Sequence, residues 1–333
     1  MPTAGPHPKH YLITGGAGFI GSHLAERLLD AGQAVTVVDD LSTGRDANLA
    51  RIRDHQKFCF VRDTVSSERT VNLLMSQCDA VFHLAATVGV QLVHDEPVRT
   101  IHTTIHGTEV VLDAAHRFGK PVLITSSSEV YGKGTRVPFG EDDDVVMGAT
   151  RFTRWCYAYA KGIDEFLGLA YHKQFALPVV IVRLFNTVGP RQVGQYGMVL
   201  PRFVEAALAN RPLKVYGDGT QTRCFCQVTD VVDALIKLFD TPAAQGQVFN
   251  VGGDEEVSMN DLACRVIAAA GSGSPTELIP YDVAYGQRFD DLPRRVPKLD
   301  KIRGAIGFAP KMNLEQIIRS VIDDFRSRST KNE

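Results

Sequence analysis

Thr14-Gly15-Gly16-Ala17-Gly18-Phe19-Ile20-Gly21-Ser22-His23-Leu24 follows a short apolar run, Tyr11-Leu12-Ile13, and leads into a helical pattern over residues 23–31. Its glycines fit G-x-G-x-x-G as Gly16, Gly18 and Gly21, and G-x-x-G-x-x-G as Gly15, Gly18 and Gly21. Glycines allow a tight turn and let backbone N–H groups approach a pyrophosphate at a helix N-terminus. A glycine-rich turn alone is weak evidence. Its setting strengthens it: a strand before, a helix after, and Asp39 at the end of the next apolar run, 21 residues past Gly18. A carboxylate there accepts from both hydroxyls of an adenosine ribose and repels a 2′-phosphate, so NAD is expected rather than NADP. Arg45, several residues beyond the acid, leaves a small opening for NADP.

Outward from this turn, short apolar runs recur at residues 35–38, 58–61, 80–84, 122–125 and 179–183. Helical patterns lie between most of them, over 104–118 and 155–175 among others. Strand, helix, strand, repeated, predicts an α/β fold: a doubly wound parallel sheet with helices on both faces. After about Gly189 glycines and prolines become denser. The expected division is a nucleotide-binding domain over 1–188, with segments returning to it near 224–254, and a smaller α/β lobe, mainly substrate-binding, over 189–333. Residues 200–209, 258–270 and 314–326 read as its helices and 247–251 as a strand.

Composition narrows the class. The 333 residues carry 36 Lys plus Arg against 38 Asp plus Glu, a net charge of −2, which gives no electrostatic reason to expect nucleic acid or an anionic membrane as partner. The hydrophobic fraction is 44% and the charged fraction 22%, as in folded soluble proteins. No apolar stretch approaches the roughly 18–20 residues of a membrane span. The polar, Pro-rich residues 1–10 read as a flexible lead-in with no signal core. Among six cysteines only Cys224 and Cys226 are close, a poor metal pattern, so no metal site is expected and the thiols read as reduced and cytoplasmic.

Tyr157 is the one tyrosine of nine with a lysine four residues on, Lys161. On a helix the two share a face. An ammonium beside a phenol favours the phenolate, which can pull a proton from a substrate hydroxyl while hydride leaves the same carbon. Lys161 can also hold the nicotinamide ribose. The stretch Thr125-Ser126-Ser127-Ser128-Glu129-Val130-Tyr131-Gly132 ends a buried-looking strand, where residues point into the ligand crevice of such sheets, and a hydroxyl there can share the proton moved by Tyr157.

Together these residues resemble the extended short-chain dehydrogenase/reductase superfamily with its Rossmann domain, in the branch that acts on nucleotide sugars. The resemblance rests on TGGAGFIGSHL (14–24), VVDDLSTG (37–44), HLAA (83–86), SSSEVYG (126–132), the Tyr157/Lys161 pair, RLFNTVGPR (183–191) and VYGDGTQTRCF (215–225). It implies resident NAD that oxidises the sugar C4 hydroxyl and is later reoxidised. By position, Gly15, Gly18 and Gly21 would hold the pyrophosphate, and Phe19 and Ile20 between them would bind the cofactor too. Asp39 would hold the adenosine ribose, Asp63 would sit near the adenine, and Asp40, Ser42, Thr43, Gly44, Leu84, Ala85 and Ala86 would bind the cofactor along with Tyr157 and Lys161. Tyr157 would be the base, Lys161 its partner and Ser127 the assisting hydroxyl. Asn186, Arg191 and Arg223 would contact the substrate sugar and diphosphate. A homodimer through a four-helix bundle is implied as well, and apolar residues on more than one face of 104–118 and 155–175 fit it. Thr104 departs from the family pattern, which often has Asn there, and that bears on the local loop geometry.

The reaction after C4 oxidation turns on Ser128 and Glu129. A 4-epimerase only returns hydride to the other face of the 4-keto sugar, and such enzymes usually carry a small or hydroxylated residue at the second position. A carboxyl group there points to a further step. Enzymes that decarboxylate UDP-glucuronate are similar at Ser128-Glu129, Arg154-Trp155 and Arg223-Cys224-Phe225; a C4 ketone makes the C6 carboxylate a β-keto acid, and CO2 leaves with the ketone as electron sink. The loop Ala86-Thr87-Val88-Gly89-Val90 looks more like the epimerases. A 4,6-dehydratase usually wants an Asp-Glu pair where this chain has Ser128-Glu129. The order of expectation is UDP-glucuronate decarboxylase, then UDP-hexose or UDP-hexuronate 4-epimerase, then dehydratase. A non-catalytic NAD-binding sensor or scaffold comes last, because Tyr157, Lys161 and Ser127 are all present.

Overall fold

The computed structural model describes residues 8–87, 89–195, 197–285 and 292–329. Most of the lead-in and Val88 of the 86–90 loop lie outside the described residues. Strands β1 (His10–Thr14), β2 (Ala34–Val38), β3 (Phe58–Val61), β4 (Ala80–His83), β5 (Val122–Ser127) and β6 (Val179–Leu184) form one sheet with the strand Gln247–Val251. The spatial order is Gln247–Val251, β6, β5, β4, β1, β2, β3, and every pairing is parallel. The sheet is therefore doubly wound around β1 and β4, and ligands of such sheets bind where the strand order reverses.

The strands are apolar because both faces are covered. Leu12, Val81, Ile124 and Ile181 pack under α2 (Glu68–Gln77), α4 (Pro97–Phe118) and α5 (Trp155–Phe175). Ile13, Val37, Phe82 and Leu123 point the other way, with Leu24 and Leu28 of α1 (Phe19–Asp30) and Val231 and Leu235 of the Val228–Phe239 helix. Consecutive residues such as Leu12 and Ile13 enter opposite cores, the period-two signature of a strand. A short helix α3 (Val90–Asp95) precedes α4.

Two helices start earlier than the sequence pattern predicts. The helix expected from residue 23 begins at Phe19 with Gly18 as its N-cap, so the glycine turn itself presents the first N–H groups. The helix expected from residue 104 begins at Pro97, a residue suited to a first turn because its missing N–H is not needed there. The second half supplies a further core in which Leu200, Phe203, Leu262, Ile318 and Val321 meet, and it also returns the Gln247–Val251 strand to the main sheet. Short strands at Leu213–Tyr216, Thr222–Cys224, Glu256–Ser258, Thr276–Ile279 and Arg294–Arg295 belong to this lobe.

Candidate active site

A cleft of about 470 Å³ runs from the glycine turn across the C-terminal ends of β1, β4 and β5 to the second lobe. Its wall includes Gly15, Gly18, Phe19, Ile20, Gly21, Asp39, Asp40, Ser42, Thr43, Leu84, Ala85 and Ala86 at one end. Ser127, Ser128, Glu129, Tyr157, Lys161, Asn186, Arg191 and Arg223 lie toward the other. The fold thus brings together nearly all the residues named from the sequence.

The glycine end fits a dinucleotide. A Cβ on Gly15, which has φ +69°, would lie 2.8 Å from the Ala85 backbone, and one on Gly21 would lie 2.4 Å from the Gly15 carbonyl. Only bare backbone lets the turn press against β4 and α1 in this way. Asp39 is buried and accepts from Ala17 N–H at 3.0 Å and Leu41 N–H at 2.8 Å. Burial pushes its carboxyl up, and these backbone donors offset only part of that rise. The carboxylate therefore orders the turn as well as facing the cleft.

Two expected cofactor residues stand outside the cleft wall. The Asp63 carboxylate accepts from its neighbour Thr64 N–H at 2.7 Å and from the Thr70 hydroxyl, which hold it below the usual carboxylate range, Thr70 first. Thr64 and Val65 line the cleft instead. Gly44 lies behind Asp39, where a Cβ would come within 2.7 Å of the carboxylate. Arg191 is on the wall, but its guanidinium donates to both Glu26 oxygens at 2.7 Å and to Ser22 Oγ at 3.2 Å, so it is tied to α1. Asn186 donates to Cys224 O at 2.8 Å and accepts from Arg295 at 3.2 Å.

Tyr157 opens α5 and hydrogen-bonds Ser127, whose hydroxyl also accepts from Glu129 N–H at 3.2 Å. The expectation that Lys161 lowers the phenol is corrected here. Burial, the Glu129 charge and the Asp164 charge raise the Tyr157 phenol well above its ordinary value, and only the Ser127 hydrogen bond opposes them. The Lys161 ammonium is turned to Asp164, 3.1 Å away.

Glu129 sits among three arginines. Its oxygens meet Arg295 Nη1 and, at 3.3 Å, Arg154 Nη2. Burial pushes the carboxyl up, but Arg154, Arg295 and Arg223 outweigh it and bring it down to about 2. Arg223 donates to the Thr222 and Leu292 carbonyls at 2.8 Å. Arg295 Nε is buried with no hydrogen-bond acceptor among the described residues. The Arg154-Trp155 pair is visible in the sequence beside Tyr157, whereas Arg295 was missed. The only sequence signal for it is indirect: a carboxylate buried in a cleft needs a cation from somewhere.

The comparisons agree with this geometry. Residues 11–252 match the NAD dependent epimerase/dehydratase family, and the chain belongs to that family. Enzymes of this kind use NAD, and the glycine turn with Asp39 is where this chain would hold it. Over 319 residues the chain is 41% identical to the UDP-N-acetyl-alpha-D-glucosaminuronate decarboxylase of Bacillus cytotoxicus, covering 96% of this chain and 98% of that one. It is 34% identical to UDP-glucuronic acid decarboxylase 1 of Arabidopsis thaliana, covering 95% of this chain and 70% of the relative. Among solved structures it is similar to the UDP-glucuronic acid 4-epimerase of Bacillus cereus in complex with UDP-glucuronic acid and NAD. That match has a TM-score of 0.86 and 26% identity over 96% of this chain and 99% of that one.

Proposed function

We propose that this enzyme decarboxylates a UDP-linked hexuronate after oxidation at C4. The observation that carries the reading is the cluster at the sugar end of the cleft, where Arg154, Arg223 and Arg295 surround the single carboxylate of Glu129. Three cations against one anion leave an excess of positive charge suited to a second carboxylate, such as C6 of a uronate. A neutral hexose has no group that needs it.

Held by the glycine turn and Asp39, NAD would supply the hydride acceptor for C4 and the hydride for the final reduction. Tyr157, with Ser127 sharing its hydrogen bond, takes the proton of the C4 hydroxyl. The C4 ketone then accepts the electron pair of the C5–C6 bond as CO2 leaves, and a proton must reach C5. Arg295 and Arg154 hold the C6 carboxylate until then, and Glu129 fixes their position. The first substrate to test is UDP-N-acetylglucosaminuronate, because the relative that carries this name is the more similar of the two decarboxylases. A UDP-hexuronate 4-epimerase is the second reading, supported by the likeness to the Bacillus cereus epimerase, since both reactions need the uronate held.

The test is incubation with UDP-N-acetylglucosaminuronate, UDP-glucuronate, UDP-glucose and dTDP-glucose, with products read by mass spectrometry and NMR. Loss of one CO2 from a uronate is the expected result. Unchanged mass with inversion at C4 establishes the epimerase, and loss of water a dehydratase. NAD binding without turnover of any of them leaves a sensor or scaffold. We further propose a homodimer through α4 and α5, whose outer faces expose Val98, Tyr159, Ile163 and Phe166. All six cysteines are free thiols, which supports a cytoplasmic setting.

A further inference from the structure

One buried charge beside the reacting residues has no part in the chemistry above. Asp164 is 0% exposed, and its Oδ2 accepts from Lys161 Nζ at 3.1 Å; Lys161 is 2% exposed. The second oxygen of Asp164 meets no donor hydrogen bond among the described residues. Thr108 faces it from α4; its hydroxyl lies 2.8 Å from the Thr104 carbonyl and is a weaker hydrogen-bond partner of Asp164 than Lys161 is. Burial pushes this carboxyl up, the Lys161 ammonium is the main compensation for its charge with Thr108 second, and an uncompensated buried charge is strongly destabilising. The converse also holds. An ammonium whose charge is cancelled at contact distance exerts much less pull on a third group.

That third group is Tyr157. Tyr157, Lys161 and Asp164 stand at i, i+4 and i+7 on α5 and share one face. The other groups around them are accounted for. From the end of β5, Ser127 hydrogen-bonds the phenol and Glu129 faces it, itself held by Arg154 and Arg295. From β4, fully buried His83 faces Lys161 and is kept neutral, brought down to about 3 by burial and then by the lysine. Glu165, next along α5, is held by Arg183 at 2.7 Å.

We propose that Asp164 is a positioning residue for Lys161: it draws the ammonium to its own oxygen and cancels its charge, so that Tyr157 stays a neutral phenol in the free enzyme. The resting phenol keeps its proton and gives it up to solvent only when a ligand changes the charge around it, which leaves Tyr157 able to take the proton of the C4 hydroxyl. This rests on Tyr157 being the base of the reaction proposed above, but it concerns the free protein and can be tested without turnover.

The experiment is NMR titration of protein labelled with ¹³C at the tyrosine Cζ, without substrate, with Tyr157→Phe identifying the Tyr157 signal. In the wild type the signal should show no phenolate up to pH 10, the ordinary midpoint of a tyrosine. In Asp164→Asn, which keeps the shape and removes the charge, the midpoint should fall by about one pH unit or more, a tenfold rise in phenolate fraction at a given pH. The acid limb of kcat/KM should move down with it. A purely structural ion pair predicts a lower melting temperature with an unmoved Tyr157 midpoint, and that result overturns the proposal. Should Asp164→Asn not fold, ¹³C-labelled aspartate in the wild type decides it. The Asp164 carboxyl must be ionised at pH 7, and a protonated one overturns the proposal. Failure of the chemistry with every UDP-uronate would leave these titrations readable.

Discussion

Glu129 cannot act as an acid in the free enzyme, because three guanidiniums keep it ionised down to about pH 2. Its first task is to hold Arg154 and Arg295 in place; a proton-handling role requires a ligand carboxylate that takes those arginines away from it. Glu129→Gln should therefore bind UDP-uronate at least as tightly as the wild type, measured by calorimetry. Its single-turnover CO2 release should fall by about 10²-fold or more. CO2 release near the wild-type rate contradicts the role. The same pairing carries a pH signature. Because the folded-state value lies below the ordinary 4.5, the stability contributed by the carboxylate is complete above pH 4.5 and is lost as pH falls toward about 2. The gap in urea midpoint between wild type and Glu129→Gln should narrow over that window. Glu129 is legible in the sequence because it ends a strand in a serine-rich turn. Arg295, which completes its pocket from 166 residues away, has no local pattern to announce it, and only the folded chain brings the two together.

The elements that carry these residues are held by a buried polar chain beneath the cleft. Arg183 on β6 donates to both oxygens of Glu165 on α5 and lies over the Tyr131 ring, 4.7 Å from its centre. The Tyr131 hydroxyl donates to Asn250 Oδ1 at 2.7 Å, and Asn250 Nδ2 donates to the Phe139 carbonyl at 2.9 Å. Phe139 in turn pairs by backbone with Val296 and Lys298, on either side of Pro297 and next to Arg295. Asn250, on the strand returned to the sheet, thus fixes the segment bearing Arg295 to the segment bearing Glu129. Asn250→Ala takes away the acceptor of the buried Tyr131 hydroxyl, while the Phe139 carbonyl keeps the Lys298 N–H, and should cost about 1–3 kcal/mol, read from urea midpoints. Turnover should drop further than UDP binding, because Arg295 loses its support; equal losses would show a general loosening instead. The main-sheet strands are legible because burial on both faces makes them continuous apolar runs. The short strands of the second lobe are not, since Thr276–Ile279 is largely exposed and Arg294–Arg295 is two charged residues.

At the scale of the whole molecule, the cleft lies between two cores, and α4 and α5 stand on the far side of the sheet from α1. These two long helices pack closely against each other and the sheet, yet each keeps apolar residues on its outer side. Phe166 is 74% exposed and Val98 77%, with Ile163, Tyr159 and Ile101 also in solvent. On α5, Tyr159, Ile163 and Phe166 fall at i, i+4 and i+7, so they form one stripe rather than scattered points. Single exposed apolar side chains are ordinary, but a stripe this long on the outer side of a paired layer asks for a cover. The proposed cover is the same face of a second copy, an isologous arrangement in which one residue change acts twice. Phe166→Glu places two carboxylates in that proposed interface and should yield monomers by light scattering at micromolar concentration, where the wild type should give dimers. Because α5 also carries Tyr157 and Lys161, the monomer should keep its fold by circular dichroism but lose part of its turnover as the helix loses its outer support. A wild type that is already monomeric rejects the dimer. A variant that stays dimeric removes Phe166 from the interface.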